Sequence, residues 1–226
     1  MKKQLSALAA LTMAFTMCAS SNAFALNYTA TLGNASTFET MTEVRANEAA
    51  AMKHVNENYV AHPVMSDFPG DTTYVYRSAD MYGINAAVRL NTNLVVYSDQ
   101  SFENKDAALS YLKELGLIDM VDQARGSIIL VTPSDPEKGF TAEDQKNYYK
   151  LQTAMFAINA SGVQDGEEVT YVDASYYGGF GFYYVIGVDG GATFLNNYVS
   201  GTLDYVSRIA GMLLVGGDME RISSVA

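Results

Sequence analysis

Phe180-Gly-Phe-Tyr-Tyr-Val-Ile-Gly-Val-Asp-Gly-Gly-Ala192 is the stretch on which the reading of the chain turns. Its first part, Phe180 to Gly187, is a short apolar run of the type that forms a strand covered on both faces. Its second part, Gly187-Val188-Asp189-Gly190-Gly191, sets an acidic residue among glycines and leads into a helix expected from Ala192 to about Val199. In a parallel sheet the carboxyl end of a strand is where ligands bind, because the following helix offers free N–H groups and the loops leave a crevice.

Working outward, Ile209 to Val215 predicts a last strand, and Ser127 to Thr132, closed by Pro133, another covered one. Thr141-Ala-Glu-Asp144 opens a helix with a Thr cap and an acidic partner three residues on; the helix runs to about Asn159 and ends at Ser161-Gly162. Asn104 to about Gln123 has the helical period with a break at Gly116, and Thr72 to Tyr76 and Ala86 to Tyr97 are rich in strand formers. A short strand is expected at Thr170 to Asp173, and a helix from Glu43 to Tyr59, stopped by Pro63 and Pro69-Gly70. Strands and helices alternate without an internal repeat, which predicts an α/β three-layer sandwich with a largely parallel sheet.

The segment Tyr184 to Ala192 resembles the nucleophile elbow of the α/β-hydrolase superfamily, small-x-nucleophile-x-small between a hydrophobic strand and a helix. Ser is usual at its centre, while haloalkane dehalogenases and epoxide hydrolases are similar and carry Asp. Ala86 to Asp218 follows the superfamily's strand–helix order, and the spacing to Arg208–Gly217 resembles the secreted esterase and polyhydroxyalkanoate-depolymerase-like branches. The resemblance implies Asp189 as nucleophile, the N–H of Gly190 as one oxyanion donor and a second donor from the loop at Ser98-Asp99-Gln100-Ser101, acting on a small or polymeric ester with no cofactor.

The resemblance also implies a catalytic His downstream of the elbow, and this sequence has only His54 and His62, both upstream. Asp218 and Glu220 cannot substitute for an imidazole that is acid and base near neutrality. Three readings fit: a C-terminally incomplete hydrolase lacking the last strands, a non-catalytic envelope or extracellular interaction protein on the same scaffold, or an enzyme with another base. For Asp189 itself the alternative is ordinary turn chemistry, its side chain accepting backbone hydrogen bonds while the glycines supply positive φ.

The N-terminus has the form of an export signal: Lys2 and Lys3, an apolar segment from Ala7 to Met17, then Ala23-Phe24-Ala25 with small residues where a signal peptidase needs them. The expected organisation is a signal peptide over 1–25, a flexible leader over 26–40 and the α/β domain over 41–226, with the product secreted or periplasmic and without a membrane anchor after cleavage. Cys18, the sole cysteine, leaves with the signal, so disulfides and thiolate chemistry are excluded from the mature chain.

A formal charge of −11 argues against nucleic acid or an anionic membrane as partner. His54 and His62 lack the spacing of a helical metal pair, and Asp165-Gly166-Glu167-Glu168 lacks the alternating ligands of a calcium loop, so no metal is expected. That acidic segment reads as a solvated loop. Tyr176 and Tyr177 are the aromatics best placed to meet a ligand outside a strand.

Overall fold

The computed structural model describes residues 36–44, 46, 59–60, 70–79, 93–124, 126–157, 160–165, 168–173, 183–202 and 209–218. Nine strands are formed by these residues: β1 (Thr37–Thr40), β2 (Tyr59–Val60), β3 (Thr73–Arg77), β4 (Asn93–Ser98), β5 (Ser127–Val131), β6 (Ala160–Asp165), β7 (Glu168–Asp173), β8 (Tyr183–Val188) and β9 (Ile209–Val215). The helices are α1 (Lys105–Glu114), α2 (Leu117–Ala124), α3 (Ala142–Ala157) and α4 (Gly190–Phe194), the last continuing as a π-helical turn over Leu195–Val199.

The main sheet has the order β1-β3-β5-β4-β8-β9. β5, β4, β8 and β9 run parallel, while β3 is antiparallel to both β1 and β5. Every residue of β3, β4, β5 and β8 is buried, the polar Thr73, Arg77, Asn93, Ser98 and Ser127 at strand ends included, as a sheet covered on both faces requires. Side chains alternate across the sheet with the strand period. Leu94, Val96, Leu130 and Ile186 pack under α1 and α2 with Leu112 and Val121. Val95, Tyr97, Val131 and Val185 face the other way, against Tyr148 and Leu151 of α3 and Phe194 and Leu195 after the elbow.

The result is a three-layer α/β arrangement, with the strand–turn–helix around Asp189 at a strand of the mixed sheet flanked on both sides. The sheet sets β8 between β4 and β9, with Ser98, Val188 and Val215 in one row. The carboxyl ends of three neighbouring strands therefore converge on residue 189.

Several expectations are corrected. Thr37–Thr40, taken as the end of a leader, forms an edge strand against β3. The helix expected from Glu43 starts earlier, with residues 41–44 helical, because Thr40 and Glu43 form a reciprocal cap: Thr40 N–H donates to Glu43 Oε2 at 2.8 Å and Glu43 N–H to Thr40 Oγ1 at 3.2 Å. Its expected end at Tyr59 is a strand, paired with β6; residues 47–58 lie outside the described ones.

Ser161-Gly162 lies inside β6, and Asp165 and Glu168, read as part of a solvated loop, are strand residues that face each other across the antiparallel pair of β6 and β7; residues 166–167 lie outside the described ones. β2, β6 and β7 form a second, three-stranded sheet. The break at Gly116 is present: φ there is +71°, and its N–H donates to Lys113 O at 2.8 Å between α1 and α2. The Thr141 cap is also present, with Thr141 N–H donating to Asp144 Oδ2 at 2.8 Å. Of the strand expected from Ala86, residues 93–98 are described, and of that from Phe180, residues 183–188.

Candidate functional site

β8 ends at Val188, and the next residue takes φ +50° and ψ −115°. Among the described residues Asp189 is the only non-glycine with positive φ. A side chain in this region is strained by roughly 1–3 kcal/mol, so the conformation must be imposed by its surroundings. The restraints are visible: Asp189 N–H donates to Val215 O on β9 at 2.8 Å, and Asp189 O accepts from Ala192 N–H at 3.0 Å and Thr193 N–H at 3.1 Å in the first turn of α4.

Glycines make the turn sterically feasible. A Cβ on Gly187 would stand 2.6 Å from the Cα of Ala192, and one on Gly191 would stand 2.1 Å from Tyr97 O. Both contacts are with backbone, so neither neighbour can swing away. Helix α4 is thereby pressed onto the end of β8, and Asp189 is pushed out at the bend.

Its carboxylate is exposed and accepts no capping hydrogen bond from α4. Two features of the turn alternative are absent: positive φ falls on the aspartate and not on the glycines beside it, and the side chain makes no capping bond to α4. On one side the carboxylate overlies Gly216, where a Cβ would meet Oδ1 at 2.3 Å; Gly216 and Gly217 have φ of +71° and +77°. On the other side stands Asp99, whose carboxylate abuts Gly190, since a Cβ there would lie 2.3 Å from Asp99 Oδ2.

Asp99 Oδ1 is buried without a hydrogen-bond partner among the described residues. Ser98, at the end of β4, is fully buried; its Oγ pairs with Tyr111 Oη of α1 at 2.9 Å and accepts from Gln100 N–H at 3.3 Å. Burial pushes the Tyr111 hydroxyl up from its usual range, the Ser98 hydrogen bond opposes this, and the negative charges of Asp189 and Asp99 reinforce it. Both carboxylates thus act on one phenol.

The structure brings Asp189, Gly190 and the chain after Ser98 together at the carboxyl edge of the sheet. Asp218 is close by, its N–H donating to Thr193 Oγ1 at 2.9 Å. His54, His62, Tyr176, Tyr177 and Glu220 lie outside the described residues. Sequence reasoning missed the roles of Asp99, Tyr111 and Gly216; for the first and last the signal was adjacency to the ends of the strands flanking β8, and for Tyr111 there was none.

The arrangement can present a carboxylate to an electrophile, with the N–H of Gly190, the residue following it, at the start of a helix. Among the described residues no group of three or more His, Cys, Asp or Glu could hold a metal ion, and no helix is long and apolar enough to cross a membrane. No family model matches the chain, and no curated protein matches it. Among solved structures it is similar to the crystal structure of an inhibited esterase B from Lactobacillus rhamnosis, at 10% identity and a TM-score of 0.35, over 78% of this chain and 56% of that one. The chain thus spans about half the length of that structure.

Proposed function

We propose that this protein is an exported ester-hydrolase-like protein in which Asp189 is a covalent nucleophile. The observation that carries the reading is the strained, exposed Asp189 between β8 and α4, with φ +50° and no capping bond on its side chain. An Oδ atom attacks a saturated carbon of the substrate, the bond from that carbon to its leaving group breaks, and the leaving group departs with the electron pair. The product is an ester of Asp189.

Cleavage of this ester is itself carboxylic-ester hydrolysis: water adds at Cγ, and the resulting oxyanion is met by the N–H of Gly190 and a backbone N–H after Ser98. Water must lose a proton to a base as it adds. The carboxylate next to this position is Asp99, which can take that proton, but its charge beside Gly190 also disfavours an oxyanion there. Release is therefore the slow step, and the aspartyl ester accumulates.

Intact-mass analysis after exposure to haloalkanes, epoxides and activated esters tests this. One adduct per chain on the peptide containing Asp189, absent in Asp189→Asn, is expected; equal labelling of the variant overturns it. Asp99 against Gly190 favours the second reading, a non-catalytic interaction protein on the same scaffold, to which an absence of adduct and turnover across the panel would point. Export rests on Lys2, Lys3, the apolar run to Met17 and Ala23–Ala25. N-terminal sequencing of the product released by an expressing bacterium should begin at Leu26, and retention of residues 1–25 would refute it.

A further inference from the structure

Across the sheet, Thr73 of β3 is in register with Val131 of β5, and Val131 with Tyr97 of β4. The three side chains share a face, and with strands about 4.8 Å apart Thr73 and Tyr97 are separated by roughly 10 Å of backbone, part of which the tyrosine spans. They line one pocket with Val131, Phe140, Asn147 and Tyr148. Thr73 is wholly buried and Tyr97 is 2% exposed, yet neither Thr73 Oγ1 nor Tyr97 Oη has a hydrogen-bond partner among the described residues. Buried hydroxyls are almost always paired, and two orphans on one wall are a demand for a ligand.

Thr132, Ser134, Asp144 and the amide nitrogen of Asn147 in the same lining are already engaged. Thr132 Oγ1 donates to Thr72 O at 3.0 Å, Ser134 Oγ to Asp144 Oδ1 at 2.7 Å, and Asn147 Nδ2 to Ser134 Oγ at 3.2 Å. Asp144 Oδ2 accepts from both the N–H and the hydroxyl of Thr141. Among the buried side-chain atoms of the lining, the unmet ones are two hydroxyls, each able to donate and accept. The pocket has room for about one water-sized group. Burial and the charge of Asp144 hold the Tyr97 hydroxyl in its neutral form, and that charge repels anions.

We propose that this pocket binds the hydroxyl group of a small neutral ligand, bridged between Thr73 Oγ1 and Tyr97 Oη. The hydroxyl comes from solvent water or from a short alcohol whose apolar body extends past Phe140 toward the exposed Ser134. The site stands apart from Asp189 and does not depend on its chemistry.

NMR of the full chain, with labelled Thr methyls and Tyr rings, tests it by titration with ethanol and with acetate. Saturable shifts of Thr73 and Tyr97 with ethanol alone assign the site to an alcohol. No shift, but a water cross-peak to both residues, assigns it to solvent. Neither signal, or equal shifts with acetate, overturns the proposal. As a second measurement, Thr73→Val and Tyr97→Phe should each lower Tm, because each strips the ligand of a partner; a rise in Tm in both would mean that the hydroxyls hold nothing.

Discussion

The backbone carbonyl of Tyr97 and the Cα of Gly191 fill one narrow gap, such that any Cβ at residue 191 would come within 2.1 Å of that oxygen. Tyr97 is fixed by pairing with both β5 and β8, so the helix, not the strand, would have to move. Gly191→Ala is expected to destabilise the protein by about 3 kcal/mol, at the upper end for overpacking, and to abolish adduct formation on Asp189. Chemical denaturation and intact-mass analysis check both, and a stable, reactive variant would show that the elbow is looser than described.

Asp189 is held where only glycine is at ease. Asp189→Gly should therefore raise stability by about 1–2 kcal/mol, the strain of a side chain at positive φ, while removing the adduct. Asp189→Ala keeps the strain and should bring no such gain. Equal stability of the two variants would show that residue 189 is unstrained.

Glu43 caps the helical turn at residues 41–44 and receives the ammonium of Lys105 at 2.7 and 2.8 Å from Oε1 and Oε2. The Lys105 hydrogen bond, then that from the Thr40 N–H, holds its carboxyl below the ordinary value of 4.5. A depressed folded-state pKa contributes stability that is full above 4.5 and is lost as pH falls through the lowered value. Glu43→Gln should thus destabilise at neutral pH, by about 1 kcal/mol for a cap with an exposed ion pair, and cease to differ from the parent in acid. Melting curves at pH 7 and pH 3 measure the difference.

Tyr76 donates from its hydroxyl to Asp122 Oδ1 at 2.7 Å, joining β3 to α2. Burial first, and then the Asp122 bond, push its pKa up to about 12 from 10.0. For a group raised on folding, stability is present in full below pH 10 and declines as pH climbs toward 12. Tyr76→Phe should flatten the alkaline loss of stability across that window, and an unchanged alkaline profile would place the loss elsewhere.

Much of the fold was readable because local chemistry and tertiary role agree. β5, β8 and β9 are apolar runs bounded by Pro or Gly, and Gly116 and the Thr141 cap mark helix ends with their own side chains or backbone freedom. β7 was legible in its Thr170–Asp173 part, but β6 escaped because Ala160-Ser-Gly-Val-Gln-Asp165 has little strand propensity and owes its state to its partner. The antiparallel direction of β3 escaped because strand propensity carries no direction.

At the site, Gly187-Val188-Asp189-Gly190-Gly191 announced a sharp bend, but not which residue would carry the unfavourable φ. That depends on Val215 and Tyr97, residues distant in sequence. The Ser98–Tyr111 pair likewise joins a strand end to the middle of a helix, and only the packed structure shows the two hydroxyls meeting.

β9 is the outermost described strand on its side of the sheet, and its Val215 carbonyl holds the amide of Asp189. Peeling this border strand would let residue 189 relax to an ordinary backbone, and its tension would vanish before the interior melted. Reactivity at the bend is thus hostage to the sheet's margin: a polypeptide laid along β9 would tighten it, and fraying there would disarm it while most of the protein stayed intact.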